Sequence, residues 1–260
     1  MTLLMKGVDS LGFIINDPES VSEKNFSVLL KDIQIEFIEI SFLCNGKAKE
    51  ILDHLIKISD EKHLDPSSIR GAIEADPIGR LMKNKKLCVP VESGFDYLAS
   101  LTGSAAIFPN LRTIHLNAAF FFNSGADIVN ELAFGISVGS EYLTQLTDRG
   151  LSADYAASKI RFSFGIGPRY FMEIAKLRAA RLLWSVVQKG FRQEAHESKK
   201  MDIHCVTGGR NMSDIEPDTN MLRTQTEAMS AILGGADSLT VEPFDNAFRK
   251  HDEFSVKCIG

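Results

Sequence analysis

The sequence predicts an α/β chain, a (β/α)8 TIM barrel left incomplete at about seven strands. Three observations lead there. Short apolar runs alternate with longer stretches of helical period, the pattern of parallel βαβ units. The chain has 260 residues, and a single barrel needs roughly 250. No Gly-, Ser- or Pro-rich linker divides it, so residues 1–260 read as one domain. A doubly wound sheet fits the same alternation, but regular repetition over this length favours the barrel.

Taken in order, the candidate strands are residues 12–15, 37–42, 69–74, 113–119, 160–166, 202–207 and 238–242. Several are rich in Ile, Val, Phe and Thr, which suits buried strands. Between them lie helix candidates. Residues 21–31 follow Asp17-Pro18, a helix-start signal. Residues 48–58 place Ile51, Leu52, Leu55 and Ile58 on one face. Residues 125–146 do the same with Ile128, Val129, Leu132, Ala133 and Ile136. Residues 168–188 carry Ile174, Leu177, Leu182, Leu183 and Trp184, and residues 219–233 carry Met221, Leu222, Met229 and Ile232. Each apolar face is expected to cover a sheet. Seven strands leave a barrel open, so an eighth is expected beyond Gly260.

Composition narrows the function. The chain is 44% hydrophobic and 24% charged, with 29 basic and 34 acidic residues and a net charge of −5. That is an ordinary soluble composition, and it excludes disorder and a small disulfide scaffold. No basic stripe invites nucleic acid. No apolar run approaches the length of a membrane span, and the first 17 residues lack the order of a signal peptide. The four cysteines, Cys44, Cys88, Cys205 and Cys258, have no metal-ligand or disulfide spacing. They read as reduced thiols of a cytoplasmic protein, and no metal site is expected.

In a barrel, chemistry sits at the C-terminal strand ends. Those ends carry Asn16-Asp17, Cys44-Asn45-Gly46, Glu74-Ala75-Asp76, Phe120-Phe121-Phe122-Asn123, Gly165-Ile166-Gly167, Thr207-Gly208-Gly209-Arg210 and Glu242-Pro243-Phe244-Asp245. Glu74 and Glu242 are able to act as acid or base, although rim solvation or a structural ion pair is the commoner role. The three phenylalanines read as a packed plug, a contact surface or a pocket wall. Thr207-Gly208-Gly209 offers backbone amides to an anion. His115 and His204 read as satisfied core or rim groups. Asp202-Ile203-His204 followed by Gly208 approaches a D-x-H-x-x-G cobalamin signature, but three residues separate His204 from Gly208 where two are needed. Neither H-E-x-x-H, a P-loop, GxGxxG nor a Ser/His/Asp order is present.

Longer stretches carry a resemblance. RFSFGIGPRYFMEIAKLRAARLLW at residues 161–184, NMLRTQTEAMSAILGGADSLTVEPFD at 220–245 and NSGADIVNELAFGISVGSEYLTQLTDRGL at 123–151 resemble the acyl-CoA mutases that use adenosylcobalamin, the methylmalonyl-CoA mutases in particular. Asn45-Gly46 and GAIEAD at residues 71–76 add weaker matches. The resemblance implies a barrel threaded by the CoA chain and lined by small polar residues, for which Ser41, Asn117, Ser163 and Thr207 are the candidates. It implies a separate C-terminal cobalamin domain, which this sequence lacks. It also implies a radical rearrangement between methylmalonyl-CoA and succinyl-CoA, in which the cofactor supplies the hard step.

The sequence departs from that family's catalytic pattern. Against G-Y-H-M-Q-E-A-G, Phe120 stands at the histidine, Ala119 at the tyrosine and Asn123 at the glutamate. Against G-T-I-Q-N-D, Ala72 replaces threonine and Glu74 glutamine, and the substrate-carboxylate arginine falls at Asn84. Val206, Gly209, Arg210 and Asn246 occupy further family positions, so no cofactor-binding set is intact. Phenylalanine offers no proton or hydrogen bond. Such losses resemble the inactive small (beta) subunit of heterodimeric bacterial mutases. That resemblance implies a catalytic large subunit as partner and adenosylcobalamin in the holoenzyme, not bound by this chain. The alternative is an active acyl-CoA mutase with a divergent acyl preference. An unrelated barrel aldolase would need a lysine at a strand end, and none is there.

Overall fold

The computed structural model describes residues 8–44, 46–86, 89–191 and 200–246. Cys88 and Cys258, Asn45, and the first seven residues of the N-terminal stretch read above lie outside them. Two compact units divide the chain. The first comprises Met1–His115 and Thr144–Ile160, the second Leu116–Leu143 and Arg161–Gly260. The strands form two four-stranded parallel sheets.

The first sheet runs β1 (Ser10–Ile15), β2 (Glu39–Cys44), β3 (Arg70–Ile73) and β4 (Leu111–Arg112) in that order. Its core gathers Ile40, Phe42, Ile73, Leu98 and Leu101 with α2 (Ala48–Glu61), whose Ile51, Leu52, Leu55 and Ile58 are all buried as the periodicity predicts. Asp17-Pro18 opens only a single 3-10 turn. The helix behind it, α1 (Glu23–Leu29), starts later, where the Ser22 hydroxyl accepts from the Asn25 N–H at 3.3 Å; a serine cap satisfies an otherwise orphaned donor. Two further helices of this unit, α3 (Pro77–Asn84) and α4 (Val91–Ser104), have no counterpart in the sequence-based expectations. The Asp76 carboxylate caps α3 by accepting from the Gly79 N–H at 2.7 Å.

The predicted strand at 113–119 is β5 (Ile114–Asn117); the two-residue β4 lies just ahead of the predicted range and is separated from β5 by Thr113. The N–H groups of Thr113 and Ile114 both donate to the Lys159 carbonyl at 3.1 Å, and the Thr113 hydroxyl pairs with that of Thr102 at 2.9 Å. The Lys159 side chain is fully buried. Its ammonium donates to the carbonyls of Ala105, Phe108 and Leu111 at 3.2, 2.6 and 3.1 Å, tying the turn ahead of β4. Burial, helped by Arg112, pushes its pKa down to about 8.

The second sheet has the order β5, β6 (Ile160–Ile166), β7 (Asp202–Thr207) and β8 (Ser238–Thr240). Eight strands are thus present among the described residues; seven answer to the predicted strands and β4 is additional. After β5 come α5 (Ala119–Asn123) and α6 (Ile128–Asp148). Then α7 (Ala153–Ser158) precedes β6, α8 (Tyr170–Phe191) follows it, and α9 (Thr219–Gly234) leads to β8. Phe162 meets Trp184 edge-on at 4.8 Å, a pairing worth about 1 kcal/mol beyond its buried area. A Cβ at Gly139 would stand 2.7 Å from the Phe162 ring, so α6 approaches the sheet through a glycine.

The faces of α6, α8 and α9 differ from those expected. On α8 the buried residues are Glu173, Lys176, Leu177, Ala180, Trp184 and Gln188, while Leu182 and Leu183 are 66% and 44% exposed. On α9, Asn220, Thr224, Glu227 and Ser230 turn inward, and Leu222, Met229 and Ile232 outward. Val129 of α6 is exposed and Glu131 buried. The reason is electrostatic and steric: the inner faces carry carboxylates that bind strand-end amides, and small residues that let helices come close. A Cβ at Gly234 would meet Leu177 at 2.7 Å.

Candidate functional site

The C-terminal strand ends of the second unit are glycine-rich. At these ends three carboxylates from surrounding helices each take a backbone amide. Gly165 N–H donates to Glu131 at 2.7 Å, Gly167 N–H to Glu173 at 3.0 Å, and Gly208 N–H to Glu227 at 3.0 Å. The Lys176 ammonium lies between two of them, 2.7 Å from Glu131 and 2.6 Å from Glu173, and also donates to the Gly165 carbonyl. All three side chains are essentially without exposure. Buried charge is tolerable only when paired and hydrogen-bonded in this manner. Desolvation raises the pKa of Glu131 despite Lys176.

Phe122 fills the space between these strand ends. Its ring would lie 2.6, 3.1 and 2.7 Å from a Cβ at Gly165, Gly167 and Gly208 respectively. Arg210 stacks over the ring at 5.1 Å and donates to the carbonyls of Phe122 and Ala126. The plug among the three phenylalanines is therefore Phe122. Phe120, at the position of the family's histidine, is half-buried with its ring 6.0 Å from that of Phe121.

The expected anion cradle at Thr207-Gly208-Gly209 is not open, because the Gly208 amide is already held by Glu227. Thr207 is buried, and its hydroxyl accepts from the Glu242 N–H at 2.8 Å; the Glu242 carboxylate accepts from Asn246 at 2.7 Å. Asn117 is exposed and caps α5 by accepting from the Phe120 N–H at 3.2 Å. Ser163 is buried in β6, in register with His204 of β7. Both His204 ring nitrogens meet hydroxyls, Ser238 at 2.8 Å and Thr240 at 3.2 Å, and burial drives its pKa down to about 4. Ser41 lies in β2 of the first unit, in register with Gly12 and Ala72. Asn123 and Gly209 are exposed. Glu131, Glu173, Lys176 and Glu227 were not among the sequence candidates. Their signal is a charge recurring on the stripe of small and apolar positions.

Burial pushes the Glu227 pKa up to about 7, against partial relief from Asn211 and the Gly208 amide. The folded state thus holds a proton that the unfolded chain releases between roughly pH 4.5 and 7. This group's contribution to stability falls as pH rises through that window. We expect the urea midpoint of the wild type to rise on acidification from pH 7.5 to 5.5, and Glu227→Gln to flatten that slope. An unchanged slope in the variant would contradict the assignment.

In the first unit, Glu74 and Arg80 border a cavity of about 540 Å³ together with Tyr97 and apolar residues. The Glu74 pKa is pushed up to about 7, first by burial and then by neighbouring Asp76. Cys44 and Cys205 are buried free thiols. No cluster of three or more potential metal ligands occurs among the described residues, and no described helix is long and apolar enough to cross a membrane.

Parallel strands joined by helices, with the glycine-rich strand ends of the second unit filled by its own Phe122 and ringed by buried charge, define an α/β chain. The family described as Methylmalonyl-CoA mutase matches residues 19–259, and the chain belongs to that family. It is 36% identical over 262 residues to the methylmalonyl-CoA mutase small subunit of Porphyromonas gingivalis, covering 99% of this chain and 41% of that protein. It is 33% identical over 237 residues to methylmalonyl-CoA mutase of Rhizobium meliloti (91% of this chain, 33% of that one). The mitochondrial methylmalonyl-CoA mutase of Homo sapiens is 31% identical over 222 residues (85% and 30%). The chain thus spans between 30% and 41% of the length of these relatives.

Proposed function

We propose that this chain is a small, non-catalytic subunit of adenosylcobalamin-dependent methylmalonyl-CoA mutase, a cytoplasmic isomerase converting methylmalonyl-CoA to succinyl-CoA. In this reading residues 1–260 belong to the family's (β/α)8 barrel, and the partner is a catalytic large subunit in a heterodimer. The observation that carries it is Phe122 seated against Gly165, Gly167 and Gly208, with the strand-end amides already bound to Glu131, Glu173 and Glu227. A corrin ring or an acyl-CoA does not fit strand ends filled by an aromatic ring. The residues Asn123, Gly209 and Asn246 add no buried donor set for the cofactor. Phe120 brings no proton where the family's histidine would act. The likeness to a protein named as a small subunit supports the same reading. So do the apolar residues that α8 and α9 turn to solvent, since exposed apolar patches mark association surfaces.

The test is reconstitution. The chain alone is expected to show no turnover of methylmalonyl-CoA and no stoichiometric cobalamin binding by spectroscopic titration. Co-expressed with a family large subunit, it is expected to co-elute with it and to raise its mutase activity. Turnover by the purified chain alone would return the reading to an active mutase with a different acyl preference.

A further inference from the structure

We propose that the cavity beside β3 in the first unit is a binding site for a small zwitterion with an apolar body, an aliphatic α-amino acid in class. The site goes beyond the subunit role and does not depend on it. Its volume, about 540 Å³, lies within the range of small-molecule pockets. Ala48, Ala75, Val89 and Leu98 supply apolar wall. Two groups of opposite charge enter it.

Glu74 is one. Its backbone is pinned on both sides: the N–H donates to the Phe42 carbonyl at 2.8 Å, and its carbonyl accepts from the Cys44 thiol at 3.5 Å. The carboxyl is half-buried, and among the described residues it has no hydrogen-bond or ion-pair partner. A desolvated carboxyl left in this state costs free energy that an incoming ammonium would repay. Arg80 is the other. One guanidinium nitrogen donates to the Cys44 carbonyl at 3.1 Å, which fixes the group at the cavity wall. The rest of its planar fork suits a carboxylate. Asp76 lines the same cavity, with one of its oxygens capping α3. The Tyr97 hydroxyl accepts from the Lys49 N–H at 2.8 Å and keeps its own proton to donate.

A simple anion would leave Glu74 unanswered, and a simple amine would meet Arg80. A molecule with both charges and an alkyl body satisfies the two groups and the wall together. The experiment is calorimetric titration of the full chain with L-leucine, isovalerate and isoamylamine, which share one alkyl skeleton. Leucine is expected to bind at least tenfold tighter than either single-charge probe. Glu74→Gln and Arg80→Gln, each checked for an unchanged far-UV spectrum, are expected to weaken leucine at least tenfold. Isovalerate or isoamylamine binding as tightly as leucine would overturn the proposal. So would absence of heat with all three probes at millimolar concentration.

Discussion

Gly71→Ala is expected to abolish folding of the first unit. Gly71 lies in β3 with φ +132°, a conformation that L residues rarely adopt. An added Cβ would stand 1.7 Å from the Ile40 carbonyl oxygen, 2.5 Å from its carbon and 2.9 Å from the Ile40 nitrogen. Those atoms are backbone of β2, and Ile40 is the register partner of Gly71. A flexible side chain could yield; a paired strand yields only by breaking the ladder between β2 and β3. The cost is above the roughly 4–5 kcal/mol that marks exceptional single substitutions. It approaches the whole stability of an ordinary domain, about 5–15 kcal/mol. Loss of the cooperative urea transition, or insoluble expression, is the expected readout. A melting temperature within a few degrees of wild type would show that β3 relaxes in a way this geometry does not allow.

Lys176→Met carries the next largest effect. The substitution retains the unbranched stem and removes the ammonium, leaving Glu131 and Glu173 buried beside one another without a cation. Removing one partner of a buried ion network costs about 3–5 kcal/mol, because the remaining charge is uncompensated. Glu131, whose burial already favours the protonated form, then answers by taking up a proton, so the variant is expected to regain stability as pH falls. Adding Glu131→Gln to Lys176→Met is expected to restore part of the loss, a coupling that urea midpoints of the two single variants and the double variant measure. Purely additive losses would show that the three charges act separately.

All seven strand positions were legible, because buried parallel strands are written as apolar β-branched and aromatic runs. The further strand β4 was not, being only two residues long. The helices α3, α5 and α7 are five to eight residues long, too short to display a period. α2 follows the rule that the apolar face points inward, and α8 and α9 do not. At Glu173 and Glu227 the pull of strand-end amides outweighs the preference of a carboxylate for water. Residue type alone does not reveal such a partner. The phenylalanine run was recognisable as a plug, but which ring fills the gap followed only from Gly165, Gly167 and Gly208. The anion reading of Gly208 failed because amides at a strand end attract the chain's own carboxylate as readily as a ligand's.

The fit of Phe122 into its glycine cradle also couples four positions sterically. Gly165 and Gly208 cannot acquire a side chain while the ring is in place, and one at Gly167 would need the ring to give by a few tenths of an ångström. The ring cannot shrink without leaving a void, at about 24 cal/mol per Å³ of residual cavity. Each position therefore holds the other three, and single substitutions in either direction are penalised. Reopening these strand ends therefore takes coordinated substitution at several positions rather than at one.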